Sequence, residues 1–168
     1  GNGATHIGTE SFGYCYALTS VKIGDGVVGI GNQAFICCTK LTNIIIPQSV
    51  TSIGIGILEG CEELTSIIVD EKNPEFDSRD NANAIIRTSS NELIQGCKST
   101  IIPDSITKIG YQAFLGCQFL TNIIIPNNVI SISYYAFRYC ESLTSMILPK
   151  NIKTIESGVL SYCTELVN

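Results

Sequence analysis

The sequence predicts a mostly β solenoid of the α/β class, and two columns of residues in step with each other carry that expectation. Cys15, Cys38 and Cys61 lie 23 residues apart, and so do Cys117, Cys140 and Cys163. Three positions before each stands an aromatic or a leucine: Phe12, Phe35, Leu58, Phe114, Phe137 and Leu160. A fixed period of this length marks stacked coils, each burying its apolar side against the next. In register, a half coil Ile7–Ala17 precedes Leu18–Lys40, Leu41–Glu63, Leu64–Gly96, Cys97–Phe119, Leu120–Ser142 and Leu143–Glu165, and a stub follows at 166–168. The 168 residues therefore form a single solenoid domain.

The elements of one coil can be read in order. Leu41-Thr-Asn-Ile-Ile-Ile46 is strand-like and stops at Pro47, which has no amide to give to a ladder. A short turn leads to a second extended piece, Val50–Ile53, closed by Gly54. Ala34-Phe35 with Cys38 three residues on has the spacing of one helical or 3-10 turn. Stacked coils would set equivalent strands side by side, about 4.8 Å apart, as a parallel sheet. The bulkier turns opposite would bend the stack, leaving the sheet concave.

The third coil is ten residues longer than the others. Its charged run Asp70–Asp80 reads as a solvated loop. Ala84–Arg87 and Glu92–Gln95 then flank Thr88–Asn91 as a hairpin with a four-residue turn. Insertions of this kind map to one face of a solenoid. Carboxylates and Asn carbonyls are calcium ligands, but the loop lacks the DxDxDG spacing, and Lys72 and Arg79 offset part of its charge.

Composition excludes several functions. Net charge is −5 without a basic stripe, which argues against nucleic acid as a partner. No apolar run reaches the ~18 residues of a membrane-spanning helix. The opening GNGATHIGTE shows no signal peptide, and the leading Gly1 and the end at Asn168 suggest an excised fragment. Six of the eight cysteines share one phase, which fits small buried residues better than disulfides, whose Cβ vectors must converge. Cys97 falls out of phase, and Cys37 is the thiol expected to be most exposed. The single histidine, His6, lies outside the repeats, so a Cys nucleophile has no base within them. No cysteine or histidine pairs stand at zinc-ligand spacing, and no phosphate-loop string is present. Neither catalysis nor a cofactor is expected.

The repeated LTNIIIP, VTSIG, AF and GC elements, at Leu41–Cys61, Ile101–Cys117, Leu120–Cys140 and Leu143–Cys163, closely resemble the BspA-like leucine-rich-repeat surface proteins of bacteria and some protozoa. Asp77–Ile86 followed by Gln95-Gly-Cys97 is similar to an interruption found in Bacteroides-type members. The resemblance covers nearly the whole chain. It implies a right-handed leucine-rich-repeat superhelix, secreted or at the cell surface. It also implies adhesin-like binding to host proteins such as fibronectin or fibrinogen, or to other cells. No catalytic or ligand motif comes with it. The chain departs locally, with Ile57-Leu58 and Val159-Leu160 for Ala-Phe and with Ser133 and Glu156 for a glycine.

Strand alternation then picks out the candidate binding residues. Ile44 and Ile46 point inward, so Asn43 and Ile45 point outward. One outward column reads Ser20, Asn43, Ser66, Ser99, Asn122, Ser145; its neighbour reads Lys22, Ile45, Ile68, Ile101, Ile124, Ile147. An exposed apolar row is a binding surface or simply the preference of strands for isoleucine. Tyr111, Tyr134, Tyr135, Tyr139 and Tyr162 belong to the turns, for packing or contact. Two functions stay open: a protein-binding module of an adhesin, or a spacer that presents another domain.

Overall fold

The computed structural model describes residues 3–167; Asn168, the last residue of the expected stub, lies outside them. The strands in chain order are β1 (His6–Ile7), β2 (Ser20–Lys22), β3 (Gly29–Ile30), β4 (Asn43–Ile46), β5 (Ser52–Ile53), β6 (Ser66–Val69) and β7 (Phe76–Asp77). After them come β8 (Ile85–Arg87), β9 (Glu92–Gln95), β10 (Lys108–Ile109), β11 (Asn122–Ile124), β12 (Ser131–Ile132), β13 (Ser145–Ile147) and β14 (Thr154–Ile155). Equivalent strands of successive coils pair in parallel, as the repeat requires. One face carries β2-β4-β6 and, further along, β11-β13. The other carries β1-β3-β5 and the run β14-β12-β10-β9-β8-β7.

On the third side of each coil the Ala-Phe-x-x-Cys segment closes with the three-residue bonds of a 3-10 turn, Cys38 amide to Phe35 carbonyl at 3.2 Å. No helix develops there. Gln33 and Cys37, four residues apart, both adopt positive φ, and so do Gly56 and Gly60, and Tyr135 and Tyr139. Left-handed residues at both ends turn alternate amides out of the coil. Those amides bond to the next coil instead: Gln33 to Ile55 at 2.9 Å, Phe35 to Ile57 at 3.0 Å and Cys37 to Glu59 at 2.7 Å. The left-handed conformation costs a non-glycine residue about 1–2 kcal/mol, and each inter-coil bond returns about 1 kcal/mol. The backbone ladder therefore continues from the strands into the turns.

The two sequence columns form the interior. Phe114 and Phe137 stack with centroids 4.8 Å apart and planes 9° off parallel. Phe35, Leu58, Phe114 and Phe137 are buried, while Phe12 and Leu160, in the opening half coil and the last coil, are partly covered. The cysteine column does more than fill space. The Cys38 thiol donates to the Phe12 carbonyl at 3.0 Å, Cys61 to Phe35 at 3.2 Å, Cys140 to Phe114 at 3.3 Å and Cys163 to Phe137 at 3.2 Å. All eight cysteines are free thiols. Cys15 is exposed, whereas Cys37 is half-buried, so the expected order of exposure is reversed: no earlier coil covers Cys15 among the described residues.

Cys97 also corrects the expectation. Thr100 donates its amide to the Cys97 carbonyl, as Leu41 does to Cys38 and Leu120 to Cys117, so Cys97 stands within the cysteine column. It looks displaced because only six residues separate it from Pro103, against nine from Cys38 to Pro47. The third coil also lacks the Ala-Phe turn. Gly96 takes its place, and a Cβ there would run into the Phe114 ring. As a result the turn of the fourth coil packs directly on that of the second, with Gly116 against Gly60.

The insertion is only partly solvated. Phe76, at 1% exposure, is a core residue. The Asn73 side chain donates to the carbonyls of Pro47 and Val50 and accepts the amides of Glu75 and Phe76, tying the loop to the second coil. The hairpin is present, with β8 antiparallel to β9 and β7 antiparallel to β8. Phe76, Ile85 and Cys97 pack with the N-terminal coils, while Ala82, Ala84, Ile86 and Leu93 pack with the C-terminal ones. The insertion is thus a wall between two cores.

Two outcomes are expected. Phe114→Ala should cost about 3–5 kcal/mol in urea unfolding, because it empties a stacked, fully buried site. Burial, reinforced by a neighbouring thiol, pushes Cys61 and Cys140 above the ordinary thiol range. In the unfolded chain these thiols ionise near pH ~8.5. Their contribution is therefore complete below that pH and is lost as the pH rises above it. Unfolding free energy should fall between pH 7 and about 9.5, and fall less in a Cys61→Ala, Cys140→Ala variant.

Candidate binding face

The expected outward columns lie where alternation places them. Asn43 pairs with Ser20 and Ser66, Ile45 with Lys22 and Ile68, Asn122 with Ser145, and Ile124 with Ile147. Ile45, Ile68, Ile101, Ile124 and Ile147 are 52, 47, 69, 80 and 77% exposed, whereas Ile44, Ile46 and Ile67 between them are sealed in the core. A strand that is apolar on its inner side for packing here shows apolar residues on its outer side as well. Lys22 and Asn43 are also exposed, so the row begins with a cation beside a polar neighbour.

The row is not one continuous ladder. β6 pairs with β4 alone, and residues 99–102, the next expected strand, are irregular. The Ile101 amide bonds to the Ala82 carbonyl at 3.0 Å, so the insertion stands where a strand neighbour would be. Three fewer residues in this coil leave too little chain for both the turn and a full strand. Between β6 and the segment 78–83 a cleft of ≈ 570 Å³ opens. Two smaller hollows of ≈ 360 Å³ flank it, one beside Lys22 and Ile45 and one beside Ile101 and Ile124. Periodicity alone missed the cleft; the short Cys97–Pro103 spacing was its one sign in the sequence.

The far wall of the cleft is held by a charge pair. The Arg79 Nε donates to Asp77 Oδ1 at 2.8 Å and its Nη1 to Asn91 Oδ1 at 2.9 Å. Burial alone would raise the Asp77 carboxyl, but hydrogen bonds from Arg79 and Thr88, with the Arg79 charge, hold it below its usual range. Asp80, Asn81 and Asn83 all have positive φ, a conformation that short polar side chains tolerate. Among the described residues no cluster of three His, Cys, Asp or Glu is placed to hold a metal. Nor is any helix among the described residues long and apolar enough to cross a membrane.

The pattern of the BspA type leucine rich repeat region matches residues 1–88 and 85–168, with six copies. The chain belongs to the BspA-type leucine-rich-repeat family. A leucine rich cell surface protein from Faecalibacterium prausnitzii is similar over 100% of this chain and 57% of its own, at 26% identity and a TM-score of 0.61. A leucine-rich repeat protein from Eubacterium ventriosum matches 99% of the chain and 57% of its own, at 22% identity and TM-score 0.62. The pneumococcal vaccine antigen PcpA matches 81% of the chain and 40% of its own, at 17% identity and TM-score 0.63. The chain therefore spans little more than half the length of the first two. No curated protein matches it.

The Asp77–Arg79 pair gives a pH test of the wall. A carboxylate whose folded value is depressed contributes above its unfolded value of about 3.9 and loses that contribution as the pH falls. Asp77→Asn should destabilise the BspA-type fold at pH 7, and the gap to wild type should close by pH ~2 in urea unfolding.

Proposed function

We propose that the chain is a non-catalytic protein-binding module of a secreted or cell-surface adhesin. On this reading it takes host matrix proteins such as fibronectin or fibrinogen, or another cell-surface protein, on the face of the exposed isoleucines. The observation that carries the reading is the row itself: five isoleucines, each about half exposed or more, project from one side of successive coils. Exposed apolar surface of this kind marks a contact surface, and solenoids build extended binding faces from such rows. The F. prausnitzii protein is a cell surface protein and PcpA is a vaccine antigen, which supports a surface location. Burial holds Cys61, Cys117 and Cys140 protonated, and the exposed His6 ring hydrogen-bonds to Thr5 and lies over Gly29, away from the thiol column. Neither group is set up as a nucleophile or a base.

Binding of the monomeric protein to immobilised fibronectin and fibrinogen tests this. Ile45→Lys with Ile124→Lys should weaken saturable binding about tenfold or more, while unfolding stability stays within about 0.5 kcal/mol because both sites are exposed. Saturable binding untouched by the double variant would remove the isoleucine face from the interface. Binding to no matrix or surface protein would leave the repeats as a spacer.

A further inference from the structure

We propose that the cleft beside β6 is a strand-addition site for an extended, cationic segment of another polypeptide. This rests on the reading of the chain as a protein-binding module, but not on the isoleucine row.

The cleft is bounded on one side by a sheet edge that has lost its neighbour. Asp70 donates its amide to the Ile46 carbonyl at 2.9 Å, toward β4, and Val69 donates the other way, to the Ser78 hydroxyl at 3.0 Å. Along a strand these directions alternate, so Ile67 turns its amide and carbonyl away from β4 and into the cleft. On β4 and β11 a neighbouring strand, β6 or β13, takes those groups. An unpaired edge is a template for another chain, and peptides add to such edges through main-chain bonds. Its ≈ 570 Å³ fits the 300–1,000 Å³ range (roughly) of ligand sites. Ser78 already caps the end of the edge at Val69, which leaves the stretch around Ile67 open and limits the register of an added strand.

Charge selects the occupant. Arg79 is committed to Asp77, so the pair is neutral and offers no free cation. Among the described residues Glu71 and Asp80, both exposed on the rim, remain without a salt bridge. The cleft is therefore net acidic and favours a strand bearing lysine or arginine. Ile68 on its floor, 47% exposed, offers an apolar contact to alternate residues of that strand.

The probe is an acetylated hexapeptide of alternating lysine and valine, compared with its glutamate–valine counterpart and with an alternately N-methylated version. The readout is hydrogen exchange and amide chemical shift at Ile67 by NMR. The lysine–valine peptide should slow Ile67 exchange about tenfold or more at saturation, and the other two should not. Glu71→Lys with Asp80→Lys should weaken its binding about tenfold, whereas the Ile45→Lys, Ile124→Lys variant should bind it as wild type does. An Ile67 amide unaffected at millimolar peptide, or equal binding of the N-methylated or glutamate peptide, overturns the proposal. Fibronectin or fibrinogen binding that persists while Ile67 stays unaffected sinks the cleft and spares the module reading. Ile67 protection without any matrix-protein binding supports the cleft and sinks only the assignment of matrix proteins to the isoleucine face.

Discussion

Amide-to-carbonyl bonds between equivalent residues of adjacent coils, such as Thr42 to Thr19, Thr51 to Val28 and Thr65 to Thr42, set the pitch of the stack at one backbone thickness. Other features follow from that spacing. At Gly54 a Cβ would lie 2.5 Å from the Asn32 nitrogen of the preceding coil, so that position excludes a side chain. Phenylalanine rings one coil apart must lie flat on each other, as the 4.8 Å separation of Phe114 and Phe137 shows. The Phe35 carbonyl accepts the Cys38 amide within its own turn and the Cys61 thiol from the next coil. A small donor that is otherwise apolar is wanted at that position, and cysteine is one.

What the sequence revealed and what it hid divide along this constraint. The Phe and Cys columns were legible because each coil repeats the same environment, so the same residue returns. The hairpin was legible because its alternation and its turn are local. The turns could not be resolved from Phe-x-x-Cys alone, since that spacing brings both side chains inward in a helical turn and in this laddered one. Only the paired left-handed residues, such as Gln33 and Cys37, separate the two, and neither residue type announces that conformation. Cys97 and the cleft were hidden for a different reason. Both arise from missing residues, and a period read across a deletion puts everything after it in the wrong phase.

The same interruption gives the binding face its variety. A perfect repeat would present a uniform ridge of isoleucines, able to offer area but little selectivity. Here the ridge is cut between Ile68 and Ile101 by a polar, acidic cleft with a bare strand edge. Apolar rows supply contact area, while directional groups supply register and partner choice. The wall that holds this arrangement, Arg79 on Asp77 and Asn91, belongs to the insertion rather than to the repeat.

The double core has a mechanical side. In a stack of coils, a pull on the two ends passes through the interfaces in series. Most interfaces here resist through backbone ladders on their faces and turns. At the insertion those ladders lapse: β5 and β6 have no strand beyond them, and the third coil brings no turn. Between β5 and β7 load crosses through the Asn73 side chain, bonded to the Pro47 and Val50 carbonyls, and through Phe76, buried among the N-terminal coils. For a chain under tension, the insertion is the point of yield, and the two half-stacks on either side of it are the pieces that would part intact.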